Sequence, residues 1–198
     1  KGRWGFDSLP MNVNLQYIQY ITARLSSFRN VWWSVANEWD LVKAKKHDDW
    51  ITLTKEINHA DPYHHLLSIH GSTAKYIEYW MPEFTHASIQ DEAPVMNWGS
   101  ASIARSIYQK PVIYDEVGYE GNLKHRWGRY SPEEMTYLMW MGIIGGTYVH
   151  MAKLTCIMEK PILFFGPRGD ISEEKAGSVL LFSVKYWKEI LHLLNLLM

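Results

Sequence analysis

A single cysteine, Cys156, in 198 residues leaves the chain without an internal disulfide, and no Cys/His spacing matches a zinc site. Asn-x-Ser/Thr is absent too, so nothing marks an oxidising compartment. Localisation stays open, with the cytoplasm slightly favoured. No apolar run reaches the roughly 18 residues of a membrane span, and no charged-then-apolar leader opens the chain. An excess of either charge is also missing: 20 Lys plus Arg stand against 21 Asp plus Glu, for a net charge of −1. That removes the basic footprint nucleic-acid binding needs. Neither a G-x-G-x-x-G following a strand nor a P-loop occurs, which leaves a nucleotide-binding open sheet, as in a dehydrogenase or kinase, without support. The chain opens Lys1-Gly2-Arg3-Trp4-Gly5 with no initiator Met, and the expectation is a start cut from something longer.

What is present is apolar and aromatic. With 47% hydrophobic and 21% charged residues the chain has material for a sizeable core. Aromatic side chains make up 14%, including 10 Trp, more than such a core normally recruits. Most of these rings are expected inside, but sugar-binding clefts use the remainder of such a set as stacking platforms.

Periodicity divides the chain into alternating elements. Leu15, Ile18, Ile21, Leu25 and Phe28 recur at helical spacing, predicting a helix over 12–28. A short β-rich run, 31–36, then ends abruptly at Asn37-Glu38. A helix over 48–60 follows, stopped by Asp61-Pro62. Further strands are expected at 66–70, 85–90, 111–116 and 146–150. Between them lie a turn with a short helix at 71–80, a helix at 100–109, a Gly-rich loop at 117–128 and a helix reaching about Met141. Ser131-Pro132-Glu133-Glu134 is a strong start for that last helix. Five strands separated by helices mean βαβ units and a parallel sheet, either open and doubly wound or the later part of a (β/α)8 TIM barrel. The barrel is favoured, with its first three strands missing.

In such a barrel the functional groups sit at the carboxyl ends of strands, which here carry Asn37-Glu38, His70, Gln90 and Asp115-Glu116. Two carboxylates on separate strands, with imidazole and amide groups between them, suit glycoside hydrolysis. One carboxylic acid protonates the leaving oxygen and the other attacks or stabilises the anomeric carbon. The His59, His64, His65 group spans a helix end and a turn and reads as surface histidines, so no metal and no cofactor are expected.

Val31-Trp32-Trp33-Ser34-Val35-Ala36-Asn37-Glu38-Trp39-Asp40-Leu41 and Lys110-Pro111-Val112-Ile113-Tyr114-Asp115-Glu116-Val117-Gly118-Tyr119-Glu120-Gly121-Asn122 resemble a bacterial glycoside hydrolase family. That family is related to apiosidase-like barrels and to the retaining clan with catalytic Glu on strands four and seven. Asp61-Pro62-Tyr63, Ser68-Ile69-His70 and Ser88-Ile89-Gln90 extend the resemblance over about 11–149. It implies Glu38 as acid/base, Glu116 as nucleophile and Asn37 as donor to the substrate 2-hydroxyl, with carboxyl groups about 5 Å apart. His70 and Gln90 become candidate subsite residues or orienters of the two Glu. Asp115 is a further substrate-side candidate that, like Asp40, more readily orders its loop. Glu120 is a weaker rival nucleophile, and Trp39 and Trp98 are candidate sugar platforms. The implied partner is a carbohydrate. A barrel that holds a glycan without cleaving it is the alternative, and so is an inactive truncated product.

After Val149 the familial pattern stops. Reading each codon of the following segment from its third base permits Thr-His-Gly-Glu-Thr-Tyr and later Trp-Ser-Lys-Gly-Gly, as the family would continue. Residues 1–149 are therefore expected to be the later portion of a glycosidase barrel and 150–198 a frameshifted tail. An amphipathic helix at 186–197 is the competing expectation of a genuine tail. A chain cut and ended this way is expected to be inactive by itself.

Overall fold

The structure, a computed structural model, describes residues 5–91, 98–150, 152–157 and 160–165. Helix α1 (Met11–Leu25) starts just after Pro10, where the Asn14 amide donates to the carbonyls of Leu9 (2.8 Å) and Pro10 (3.2 Å) and ties down the first turn. Its buried stripe is Asn14, Ile18 and Thr22, at i, i+4, i+8. Of the expected stripe, Leu15, Ile18 and Ile21 pack on the core, while Leu25 and Phe28 are exposed and the helix ends three residues before Phe28. Helix α1 packs against α2.

Helix α2 (His47–Ala60) is started by Asp49, whose carboxylate accepts from the Lys46 N–H at 2.7 Å. It buries Trp50, Leu53, Thr54 and Ile57 at helical spacing. Helix α3 (Trp98–Tyr108) and helix α4 (Pro132–Ile144) complete the layer. In α4 the Ser131 hydroxyl accepts from Glu134 N–H and the Glu134 carboxylate accepts from Ser131 N–H, the capping box that its sequence announces.

All five expected strands form, most of them shorter than their apolar runs. They are β1 (Trp33–Ser34), β2 (Leu67–Ser68), β3 (Ala87–Gln90), β4 (Val112–Glu116) and, after the short β5 (Tyr119–Gly121), β6 (Tyr148–Val149). Strand β1 pairs with β2, β3 with β4 and β4 with β6, every pair parallel. A parallel bridge from His70 to Ser88 links β2 to β3. The chain is thus a mixed α/β structure of small parallel sheets whose strands follow one another in sequence order.

Period-two alternation sorts the two faces of these strands. Leu67, Ile69, Ala87, Ile89, Val112 and Tyr114 join Ile18, Trp50, Leu53 and Ile57 in the core under the helices. The opposite face carries Ser68, His70, His86 and Ser88, which are also buried, so the middle strands are covered on both sides. Tyr79 stitches β2 to β3, its hydroxyl lying within 2.8 Å of the carbonyls of both Ile69 and Ser88.

Three features depart from expectation. Residues 71–80 form turns with no helix. The Gly-rich loop contains β5, bridged to Tyr130, because Gly118 (φ 102°) lets the chain turn back there. A Cβ on Gly118 would lie 2.5 Å from the Tyr130 ring. Past His150, β7 (Ala152–Ile157) pairs parallel with β5 and antiparallel with β8 (Lys160–Phe165). The remainder of the 150–198 segment, with the helix expected at 186–197, lies outside the described residues.

Candidate active site

The carboxyl ends of the strands converge because parallel strands in sequence order all finish on the same side. At the end of β1, Glu38 adopts a left-handed conformation (φ 48°, ψ 59°), which a residue with a Cβ seldom takes. The turn is held by the Trp39 N–H, which donates to the His70 carbonyl at 3.0 Å, and by Leu41 N–H donating to the Glu38 carbonyl. Backbone strain of this kind, on the order of 1–3 kcal/mol, collects where a side chain must be aimed. Asp40 then accepts from the Ser72 N–H (2.7 Å) and hydroxyl (2.5 Å), locking the β1 loop to the β2 loop.

The end of β4 carries the second carboxylate. Registration with β3 slips by one residue there: Ile89 faces Tyr114, but Gln90 faces Glu116, so Asp115 has no partner across the ladder. Consecutive strand residues normally point to opposite faces, and the slip lets both acids reach His70. Its Nδ1 lies 2.8 Å from Asp115 Oδ1 and its Nε2 lies 3.4 Å from Glu116 Oε2. Gln90 Oε1 is 3.1 Å from Nε2, and Ser88 Oγ is 3.2 Å from Nδ1 while donating to Asp115 Oδ2. Burial alone would push the His70 imidazole down; the hydrogen bonds and charges of Asp115 and Glu116 outweigh it and raise the pKa to about 10.

A cleft of about 270 Å³ opens above these ends, lined by Glu38, Thr73, Gln90, Glu116, Gly118, Tyr119 and Trp127. Both candidate catalytic carboxylates therefore face one space. Burial holds the Tyr119 phenol well above its ordinary range, as do its hydrogen bond to Glu116 and the charges of Glu116, Glu38 and Asp115. Tyr119 thus stays protonated and donates to Glu116. The Trp127 ring stacks parallel to His125 (centroids 5.8 Å apart) and meets Tyr119 edge-on at 5.9 Å. This arrangement offers an acid, a carboxylate with two oriented neighbours, and an aromatic wall.

Of the other sequence-derived candidates, Asn37 is exposed beside Glu38, outside the residues that line the cleft. Trp39 leans on the core and meets His47 edge-on at 5.8 Å, and it too is not among the cleft residues. Trp98 opens α3, and its side chain lies outside the described residues. Glu120 is buried at 8% exposure, on the side of β5 away from the cleft residue Tyr119. His65 is committed to Asp61 at 2.8 Å. Among the described residues no His/Cys/Asp/Glu group gathers in a metal-binding arrangement.

Thr73, Gly118, Tyr119 and Trp127 are the cleft residues that sequence reasoning missed. Tyr119 stands inside the motif quoted for the second carboxylate, but within a Gly-rich stretch that reads as plain loop. Trp127 is flanked by Lys124, His125, Arg126 and Arg129. A large ring set among basic side chains in a loop was its available signal.

No family model matches the chain, and no curated protein matches it. Among solved structures, a protein from Bacteroides vulgatus ATCC 8482, described as a "putative glycoside hydrolase", matches it with a TM-score of 0.82 and 56% sequence identity. The match covers 90% of this chain and 34% of that one, so the chain spans about a third of the length of its relative. The likeness supports a glycoside-hydrolase-like family for this segment.

Proposed function

We propose that this chain carries the two catalytic carboxylates of a retaining glycoside hydrolase, on an arc of a (β/α)8 barrel that further strands complete. The observation that carries the reading is the single cleft lined by Glu38 from the end of β1 and Glu116 from the end of β4. Two carboxyl groups across one cleft are what glycosidic bond cleavage requires. The likeness to the Bacteroides protein supports the same chemistry.

In this mechanism Glu38 protonates the departing oxygen while Glu116 attacks the anomeric carbon, and the bond to the leaving group breaks as the bond to Glu116 forms. Glu38, now ionised, then takes a proton from water as the water oxygen displaces Glu116, which restores both groups and retains configuration. Tyr119 orients Glu116, and Trp127 offers a face to a sugar ring. Asn37 remains the candidate donor to the 2-hydroxyl, with Gln90 at the cleft wall. The frameshift after Val149 belongs to the same proposal: the tail is not the evolved completion of the barrel, and the 198-residue chain alone does not turn over.

The test is a chimera in which residues 5–149 replace the matching segment of the Bacteroides protein, screened on a panel of aryl glycosides. Turnover is expected, with net retention seen in the product anomer. Glu116→Ala should abolish it and leave sugar binding intact, and Glu38→Ala should cost roughly 10²–10⁴-fold, least for substrates whose leaving group needs no proton. Unchanged turnover in Glu116→Ala refutes the assignment, as does an inverted product for the retaining course. Sugar binding without turnover in the parent chimera would instead favour a barrel that holds glycans. Hydrolysis by the purified 198-residue chain would refute its inactivity.

A further inference from the structure

Both ring nitrogens of His70 face acceptors. Nδ1 looks onto Asp115 Oδ1 at 2.8 Å and Ser88 Oγ at 3.2 Å, and the Ser88 proton is already spent on Asp115 Oδ2. Nε2 looks onto Gln90 Oε1 at 3.1 Å and Glu116 Oε2 at 3.4 Å. The side chain is 6% exposed, so water does not supply a missing donor. A neutral imidazole has one protonated nitrogen and one lone pair. Either tautomer would press that lone pair against oxygen acceptors in a buried place, which costs free energy that a second proton removes.

We propose that His70 is a standing imidazolium that joins Asp115 to Glu116, a positioning residue that fixes the orientation of the Glu116 carboxylate. Its catalytic meaning rests on the reading of Glu116 as nucleophile, whereas the ion link itself does not. The titratable groups facing the link are Asp115 and Glu116 from β4, Tyr119 from β5, Glu38 at the end of β1, and Tyr79 and His86, which feel the charge of Asp115; Ser88 and Gln90 of β3 add neutral contacts. Asp115 and Glu116 repel one another as like charges do, and a cation seated between them offsets that repulsion while it holds the Glu116 carboxylate in place. The same seat excludes two other roles. A proton shuttle needs a nitrogen that titrates near neutrality, and a sugar-binding histidine needs one left free for a hydroxyl.

The experiment follows the imidazole nitrogens of the isotopically labelled 198-residue chain by NMR from pH 5 to 10. His70 is expected to keep both nitrogens protonated at pH 8, and Glu116→Gln is expected to lower its midpoint by about one pH unit or more. A neutral tautomer at pH 8, or a midpoint unmoved by Glu116→Gln, overturns the proposal. In the chimera, His70→Gln is expected to lower kcat at least about tenfold with KM little changed. A KM-only effect would make His70 a substrate contact and overturn the positioning role. If Glu116→Ala still turns over, the glycosidase reading fails alone, and the nitrogen spectra still decide the link.

Discussion

One polar strand face carries a buried histidine at each end, and the two are driven in opposite directions. His86, just before β3 begins, is 4% exposed and held down at about 4 by burial, with only the charge of Asp115 opposing. Its partners are neutral: the Trp32 indole donates to Nε2 at 3.2 Å, and the Thr85 hydroxyl lies 2.9 Å from Nδ1. His70, at the carboxyl end of β2, is as deeply buried and is raised to about 10 by Asp115 and Glu116. Burial pushes both imidazoles the same way; the count of adjacent carboxylates decides the outcome. The amino end holds His86 among neutral partners and surrounds the Asp61 carboxylate with donors that satisfy it. The carboxyl end brings two carboxylates and a histidine together beside the cleft, an arrangement usual at a working site.

The sharpest way to break this contrast is to remove a carboxylate from each end. Asp61 lies at the amino end, 2% exposed, accepting from the Trp33 indole (2.9 Å), from the N–H of Tyr63 and His65 (both 3.0 Å) and from the His65 ring. Asp61→Ala strands those donors, and about 3 kcal/mol or more of stability should disappear in urea unfolding. Glu116→Gln loses the charge contact with His70 at 3.4 Å and should cost about 1–2 kcal/mol, clearly less than Asp61→Ala. Equal losses would erase the distinction between the two ends.

The pH dependence of stability comes next in size. His86 is depressed, so its contribution is present above the unfolded value of 6.5 and is lost as pH falls toward about 4. His70 is raised, so its contribution is complete below 6.5 and is lost as pH rises through about 10. Each limb should amount to about 1 kcal/mol or more in urea midpoints measured across pH. Asp61, lowered by its hydrogen bonds against the pull of burial, adds a loss only below its ordinary 3.8. His86→Asn should flatten the acid limb above pH 4, and His70→Gln the alkaline one; the reverse pattern would exchange the two roles.

Two smaller effects calibrate the scale away from both ends. Tyr79→Phe removes the hydroxyl that serves the Ile69 and Ser88 carbonyls, for a loss of about 1–2 kcal/mol in thermal or urea unfolding. Ser131→Ala removes the cap of α4 and should cost about 1 kcal/mol in the same measurement, leaving the cleft untouched.

Much of this was legible beforehand wherever the cause is local. The capping box at Ser131 and Glu134 and the sharp endings at Asn37-Glu38 and Asp115-Glu116 follow from short-range chemistry. Alternation in Ser68-Ile69-His70 and Ser88-Ile89-Gln90 places the polar residues on one face without reference to anything distant. Reading failed where a neighbour decides. Leu25 and Phe28, expected on the α1 stripe, are exposed, and the 71–80 segment closes in turns while its Glu78 and Tyr79 contact α2 and α3. Trp39 leans on the core while Trp127 takes the cleft, because ring placement depends on which loops meet above the strands.

By itself the sequence determined which residues end each strand, and so which chemical groups a parallel sheet would bring to one side. It could not determine that Asp115 and Glu116 both reach His70, because adjacent strand residues diverge unless the register slips. That slip is set by the pairing of β3 with β4, and the histidine it serves comes from β2, which is bridged to β3. Three segments far apart in the chain must be in place before the two acids share one cation, and only the tertiary structure puts them there.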